Sequence, residues 1–103
     1  MVLIFTPSDS DEMYVRQRNL FQDQQAGFEE RDLLSYVFFD ESPDGNAPRE
    51  QFGVENGAFT VILVGKDGGE KFRWQEPVGP KDLFDRIDVM PMRRRELRER
   101  SAR

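Results

Sequence analysis

The chain has 103 residues, with 15 Lys and Arg against 20 Asp and Glu, and contains neither Cys nor His. The missing sulfur excludes disulfides and every thiol mechanism, since the thiolate is the nucleophile. The missing imidazole removes the usual neutral-pH proton shuttle and makes a structural zinc site untenable, so any metal would be a hard, oxygen-liganded ion.

VLIF at 2–5 is a short, continuously apolar run and reads as a buried strand stopped by Pro7. Ser8, Asp9 and Ser10 are good N-cap residues, and Asp9 with Glu12 has the spacing of a capping box. The helix that follows is expected to run to Gln25 or Ala26. Met13, Tyr14, Leu20 and Phe21 form its apolar stripe, Phe28 lies one heptad past Phe21, and Gly27 serves as the C-terminal cap. LLSYVFF at 33–39 reads as a second buried strand, and DESPDGN at 40–46 as a turn. A short helix over 47–54 with Pro48 in its first turn is expected to point Phe52 and Val54 inward and to end at Glu55-Asn56-Gly57.

FTVILV at 59–64 is apolar on both faces and therefore central. GKDGG at 65–69 is a turn, and EKFRWQ at 70–75 alternates, with Phe72 and Trp74 inward and Lys71, Arg73 and Gln75 outward. The close spacing makes the two strands an antiparallel hairpin. Gly79-Pro80 opens a last helix carrying Leu83, Phe84, Ile87 and Met90 on one face, ended or kinked by Pro91, with a second helical piece expected from Met92.

Charge divides the chain. Residues 1–92 hold 9 basic and 18 acidic side chains, a balance of −9, whereas 93–103, RRRELRERSAR, holds 6 Arg against 2 Glu, a balance of +4. The body repels nucleic acid, and no apolar run approaches the ~20 residues of a membrane span. One domain over 1–92 with an Arg-rich helical tail over 93–103 is the expected organisation.

The order strand, helix, strand, short helix, strand, strand, helix is satisfied by an α/β fold: a parallel strand–helix–strand unit, a terminal hairpin, and one four-stranded mixed sheet flanked by helices. That is the thioredoxin-like layout. The pattern VLIFTPS … ERDLLSYVFF … FGVENGAFTVILVGKDGGEKFRW … LFDRIDVMPMRRRE resembles a domain-of-unknown-function family of peroxiredoxin-like, thioredoxin-fold proteins. Its members occur in small bacterial proteins and in vertebrate extracellular-matrix proteins with sushi repeats or related modules. GKDGGEK (65–71) followed by MPMR (90–93) is the most specific part of the match. The resemblance implies the fold and a periplasmic or extracellular setting. Met1 leads directly into a strand-like run with no leader visible, and a chain without a leader would be cytoplasmic.

Beside a thioredoxin, Ser10 falls near the place of the attacking cysteine and Met13 near that of the resolving one. The cis-proline that thioredoxins carry before the third strand is replaced by Ala58 or Phe59, where a trans bond is expected. Three readings of the 8–11 loop stand side by side: helix capping by Ser8, Asp9 and Ser10, a polar edge for a ligand or partner protein, and a serine nucleophile at Ser10. The last needs Lys66, Lys71 or Lys81 within hydrogen-bond reach, and Asp9 and Asp11 oppose an oxyanion there. Asp40 to Gly45 follows the start of a calcium loop, but its twelfth position is Gln51 rather than the bidentate Glu. It reads better as a surface turn. Lys66, Asp67 and Lys71 belong to a hairpin turn with room for a contact role.

The expected function is a redox-inactive binding module without a cofactor, contacting a partner protein or small polar ligand through Ser8, Asp9, Ser10, Asp11, Phe59, Lys66, Asp67 and Lys71. The alternative is a non-thiol enzyme at the 8–11 loop. A homodimer would form through the edge of strand 70–75, where Lys71 and Arg73 act as guards, or through the Arg tail.

Overall fold

A computed structural model describes residues 1–90. In chain order they form β1 (Val2–Thr6), α1 (Glu12–Phe21), α2 (Gln25–Glu30), β2 (Ser35–Phe39), a 3-10 turn (Pro43–Gly45), α3 (Asn46–Phe52), β3 (Thr60–Val64), β4 (Glu70–Trp74) and α4 (Pro80–Asp88). The strands make one mixed sheet in the order β2-β1-β3-β4. β1 runs parallel to β2 with Ile4 opposite Val37, and antiparallel to β3 with Ile4 opposite Val61. β3 and β4 form the expected antiparallel hairpin.

Strand alternation splits the core in two. Val2, Ile4, Val61 and Leu63 join Leu33, Phe59, Val78, Leu83 and Ile87 on the face covered by α1, α2 and α4. Leu3, Phe5, Ile62 and Val64 join Val54 on the other face, against Phe52 of α3. β1 and β3 are buried along their whole length, as continuous apolar runs require. β2 is not: it is an outer strand, and Ser35 and Tyr36 are exposed.

The first helical segment departs from expectation. Asp11, not Asp9, is the N-cap, its carboxylate accepting from the Tyr14 amide at 3.3 Å. A turn closed by the Asp11 amide on the Ser8 carbonyl delays the helix by two residues. Met13 and Leu20 are exposed, and the inward stripe is Tyr14, Gln17 and Phe21. Gln17 is fully buried because its amide pairs with the backbone of Val78 in both directions, donating at 2.9 Å and accepting at 2.7 Å.

The helix breaks after Phe21, and Gly27 lies inside α2 rather than capping α1. In a continuous helix Phe21 and Phe28 would be about 10 Å apart along the axis. The break folds them to 5.1 Å between ring centroids, and Phe84 joins Phe28 at 5.6 Å. Gly27 lets that ring approach, since a Cβ there would lie 2.7 Å from Phe84.

α2 ends in a Schellman motif: the Leu33 amide reaches the Phe28 carbonyl at 2.8 Å and the Asp32 amide reaches Glu29 at 3.1 Å, with Asp32 left-handed at φ +51°. Gly53, at φ +66°, ends α3 in the same way, a turn earlier than the expected stop at residues 55–57. α4 matches expectation, with Leu83 and Ile87 buried. Arg31 ties the end of α2 to α4 through two bonds to Asp88, at 3.0 and 2.9 Å, while its guanidinium lies 4.2 Å over Phe84. The helical piece expected from Met92 and the Arg-rich end lie outside the described residues.

Candidate functional site

The parallel pair β1/β2 opens its carboxyl ends at one edge of the sheet, the usual ligand edge of α/β folds. Residues 7–11 leave β1 there. Thr6 is fully buried and its hydroxyl donates to the Ser8 carbonyl at 3.4 Å. Asp9 and Ser10 stand exposed at the tip of the turn. The Ser8 and Ser10 hydroxyls bond each other at 3.1 Å, and Asp11 is spent on the helix cap.

Among the described residues no Lys or Arg nitrogen bonds either serine. Lys81 is paired with Asp85 at 2.9 Å. Phe59 lies at this same end, just before Thr60, which pairs with Phe5, but its side chain is buried in the core. All peptide bonds among the described residues are trans.

Lys66, Asp67 and Lys71 are not part of this site. They sit in the β3–β4 turn at the opposite end of the sheet, about 17 Å away along five strand residues. The turn satisfies itself. Asp67 accepts from Lys71 Nζ at 2.8 Å and from the Gly69 amide at 3.0 Å, and Gly68 takes φ +83°. Both bonds hold the Asp67 carboxyl below the usual carboxylate range, the Lys71 ammonium contributing most.

Sequence reasoning missed a polar cluster beneath the carboxyl edge. Arg49 of α3 is only 6% exposed, and its Nη2 donates to the Phe38 carbonyl and to Asp40, both at 3.3 Å. Asp40 also accepts from the Gly57 amide at 2.7 Å, which ties the loop after α3 to the end of β2. Arg49 Nε and Nη1 are buried without a hydrogen-bond partner, and Nη1 lies tight against Gly45. The signal was present: Arg49 is three residues before Phe52, on the face of the short helix that turns inward. With Asp40 committed in this way, residues 40–45 form a structured turn. Among the described residues no group of three or more acidic side chains is placed to hold a metal ion.

α3 has seven residues and covers only part of its sheet face. Beside it lies an apolar groove of about 310 Å³ lined by Leu3, Tyr36, Phe38, Pro48, Gln51 and Phe52. Tyr36 and Leu34, on the same side of β2, are 44% and 61% exposed. The opposite edge strand is guarded. Arg73 of β4 grips Glu70 with two bonds, at 3.0 and 2.7 Å, and also donates to the Phe52 carbonyl at the end of α3. No described helix is long and apolar enough to cross a membrane.

Comparison with known proteins adds family membership and little chemistry. The family described as "Domain of unknown function (DUF4174)" matches residues 1–96. The sushi repeat-containing protein SRPX2 of Xenopus laevis is 28% identical over 111 residues, a match that covers 94% of this chain and 24% of that protein. The chain thus spans about a quarter of the length of this relative. No solved structure matches.

Proposed function

The chain belongs to this DUF4174 family, and from that premise we propose that it is a redox-inactive binding module on a thioredoxin-like scaffold. The strand order β2-β1-β3-β4, with its parallel outer pair and antiparallel hairpin, supports the scaffold. The observation that carries the functional reading is the loop after β1. Its Ser8 and Ser10 hydroxyls bond each other, Asp11 is spent on the helix cap, and among the described residues no Lys or Arg nitrogen bonds either serine. A matched segment that is one quarter of a sushi-repeat protein also fits a module that works by contact within a larger chain.

The test is direct. Purified protein is assayed for reduction of hydrogen peroxide with a thiol reductant, for reduction of insulin disulfides, and for hydrolysis of chromogenic acetyl esters. No turnover above buffer is expected from the wild type or from Ser10→Ala. Turnover that Ser10→Ala abolishes would replace the binding module with a non-thiol enzyme at residues 8–11.

A further inference from the structure

The two edges of the sheet are treated differently. β4 carries Arg73 locked to Glu70 and Lys71 locked to Asp67, charges that discourage another strand from pairing. β2, SYVFF, has no charge and no proline. The Leu34 carbonyl points at β1, where it accepts from the Val2 amide at 2.8 Å. Strand alternation therefore turns the amides and carbonyls of Ser35 and Val37 outward. Directly beside this edge lies the groove walled by Tyr36 and Phe38, open and apolar. Acidic side chains bracket the strand, with Asp32 before it and Glu41 and Asp44 after it. The two arginines in this region are already engaged, Arg31 by Asp88 and Glu30 and Arg49 by Asp40.

Given a domain that binds rather than turns over, we infer that β2 accepts an extended segment of a partner protein as a fifth strand. Backbone pairing to Ser35 and Val37 supplies affinity. Alternate apolar side chains of the guest drop beside Tyr36 into the groove, and Lys or Arg at its ends meets the flanking carboxylates. This is strand addition with a pocket for alternate side chains. The charge-free strand explains why the exposed apolar residues Leu34 and Tyr36 cluster on this edge and not on β4. A second copy of the chain is the less suitable guest, because it would bring the same acidic flanks to the same edge.

The probe is a synthetic eleven-residue peptide alternating Val or Phe with Thr and carrying two Lys at each end. Its companions are a twin with Glu at the ends and a shuffled version without alternation. Binding is followed by amide chemical shifts of the 15N-labelled protein. The Lys-ended peptide is expected to bind at least about tenfold more tightly than the Glu-ended twin, to weaken with added salt, and to shift the amides of residues 35–38. Ser35→Pro removes an outward donor at the first strand position, where proline is tolerated, and is expected to abolish binding. Tyr36→Ala leaves the backbone intact and is expected to weaken binding about fivefold or more. It keeps the test decisive should Ser35→Pro not fold.

No binding of the Lys-ended peptide up to about 1 mM, or equal binding of the shuffled peptide, overturns the inference. A concentration-dependent dimer by light scattering that is lost in Ser35→Pro overturns it in favour of self-pairing. Absence of peptide binding together with absence of turnover removes strand addition alone. Turnover with peptide binding removes the module role and leaves strand addition standing.

Discussion

At the scale of single residues, two long polar side chains, Gln17 and Arg49, are buried where the apolar pattern does not select them. Gln17 supplies the donor and acceptor that Val78 lacks. Replacing it by Leu fills a similar volume but leaves a buried amide and carbonyl unpaired, at about 1–3 kcal/mol each. Gln17→Leu is therefore expected to lower unfolding free energy by about 2–4 kcal/mol in urea titration, whereas Met13→Ala, at an exposed position, stays within about 0.5 kcal/mol. The reverse ranking would mean that α1 presents its Met13–Leu20 stripe to the core after all. The sequence could not rank them because hydropathy ignores what a buried amide finds across 61 residues of chain. Arg49 is the second case. Its Nη2 bonds are offset by two buried nitrogens without partners, and an apolar residue of similar length removes that penalty. Asp40 remains hydrogen-bonded to Gly57 when the arginine is gone. Arg49→Met is expected within about 1 kcal/mol of wild type, and Arg49→Ala, which adds a cavity, about 2–4 kcal/mol below it.

At the scale of elements, the strands and the start of α4 were readable, and the ends of the earlier helices were not. VLIF and FTVILV are apolar on both faces, and both strands are buried along their whole length. LLSYVFF looked equally buried and proved to be an edge, because edge or centre depends on strand order and not on composition. Gly27 carried the usual signal of a helix end, yet the true end uses Asp32 in a left-handed conformation that asparagine and aspartate tolerate. The glycine is needed for Phe84 instead. Helix propensity predicts that Gly27→Ala gains about 1 kcal/mol, but packing predicts a loss of about 1–3 kcal/mol, since the new methyl meets the Phe84 ring. Thermal unfolding of the variant decides between them. Of the candidate contact residues, the sequence offered the types but not the layout, because nothing in a linear string tells one end of a sheet from the other. The 8–11 loop follows β1 at the carboxyl edge, while Lys66, Asp67 and Lys71 lie in the hairpin turn at the other end of the sheet. Their hairpin has a pH signature of its own. Arg73 holds the Glu70 carboxyl, and Lys71 the Asp67 carboxyl, below their ordinary values. In the acid range the unfolded chain then binds more protons, so this stabilisation is complete above about pH 4.5 and is lost as pH falls through the folded values. Arg73→Gln is expected to flatten the fall of the urea midpoint between pH 7 and pH 3. An unchanged slope would show that the pair contributes nothing.

At the scale of the whole molecule, the balance of charge changes sign along the chain, from acidic over residues 1–92 to basic over 93–103. Among the described residues, α4 contributes Leu83 and Ile87 to the core, and Met90 packs against it. The family match runs on to residue 96, into the Arg-rich end. A chain ending at Met92 keeps every core side chain among the described residues and is expected to keep its stability at high salt. At low salt it should be less stable than the full chain. The full chain carries −5 and residues 1–92 carry −9, and self-repulsion growing with the square of net charge rises about threefold. Salt screens that repulsion. Urea midpoints at 10 and 300 mM NaCl should therefore rise more steeply for the shortened chain, and the two proteins should converge at the higher salt. A shortened chain that is weaker by the same amount at both concentrations would instead place residues beyond 92 in the fold itself. The tail's six arginines would then act through fixed contacts and not through the long-range field that the acidic body sets up.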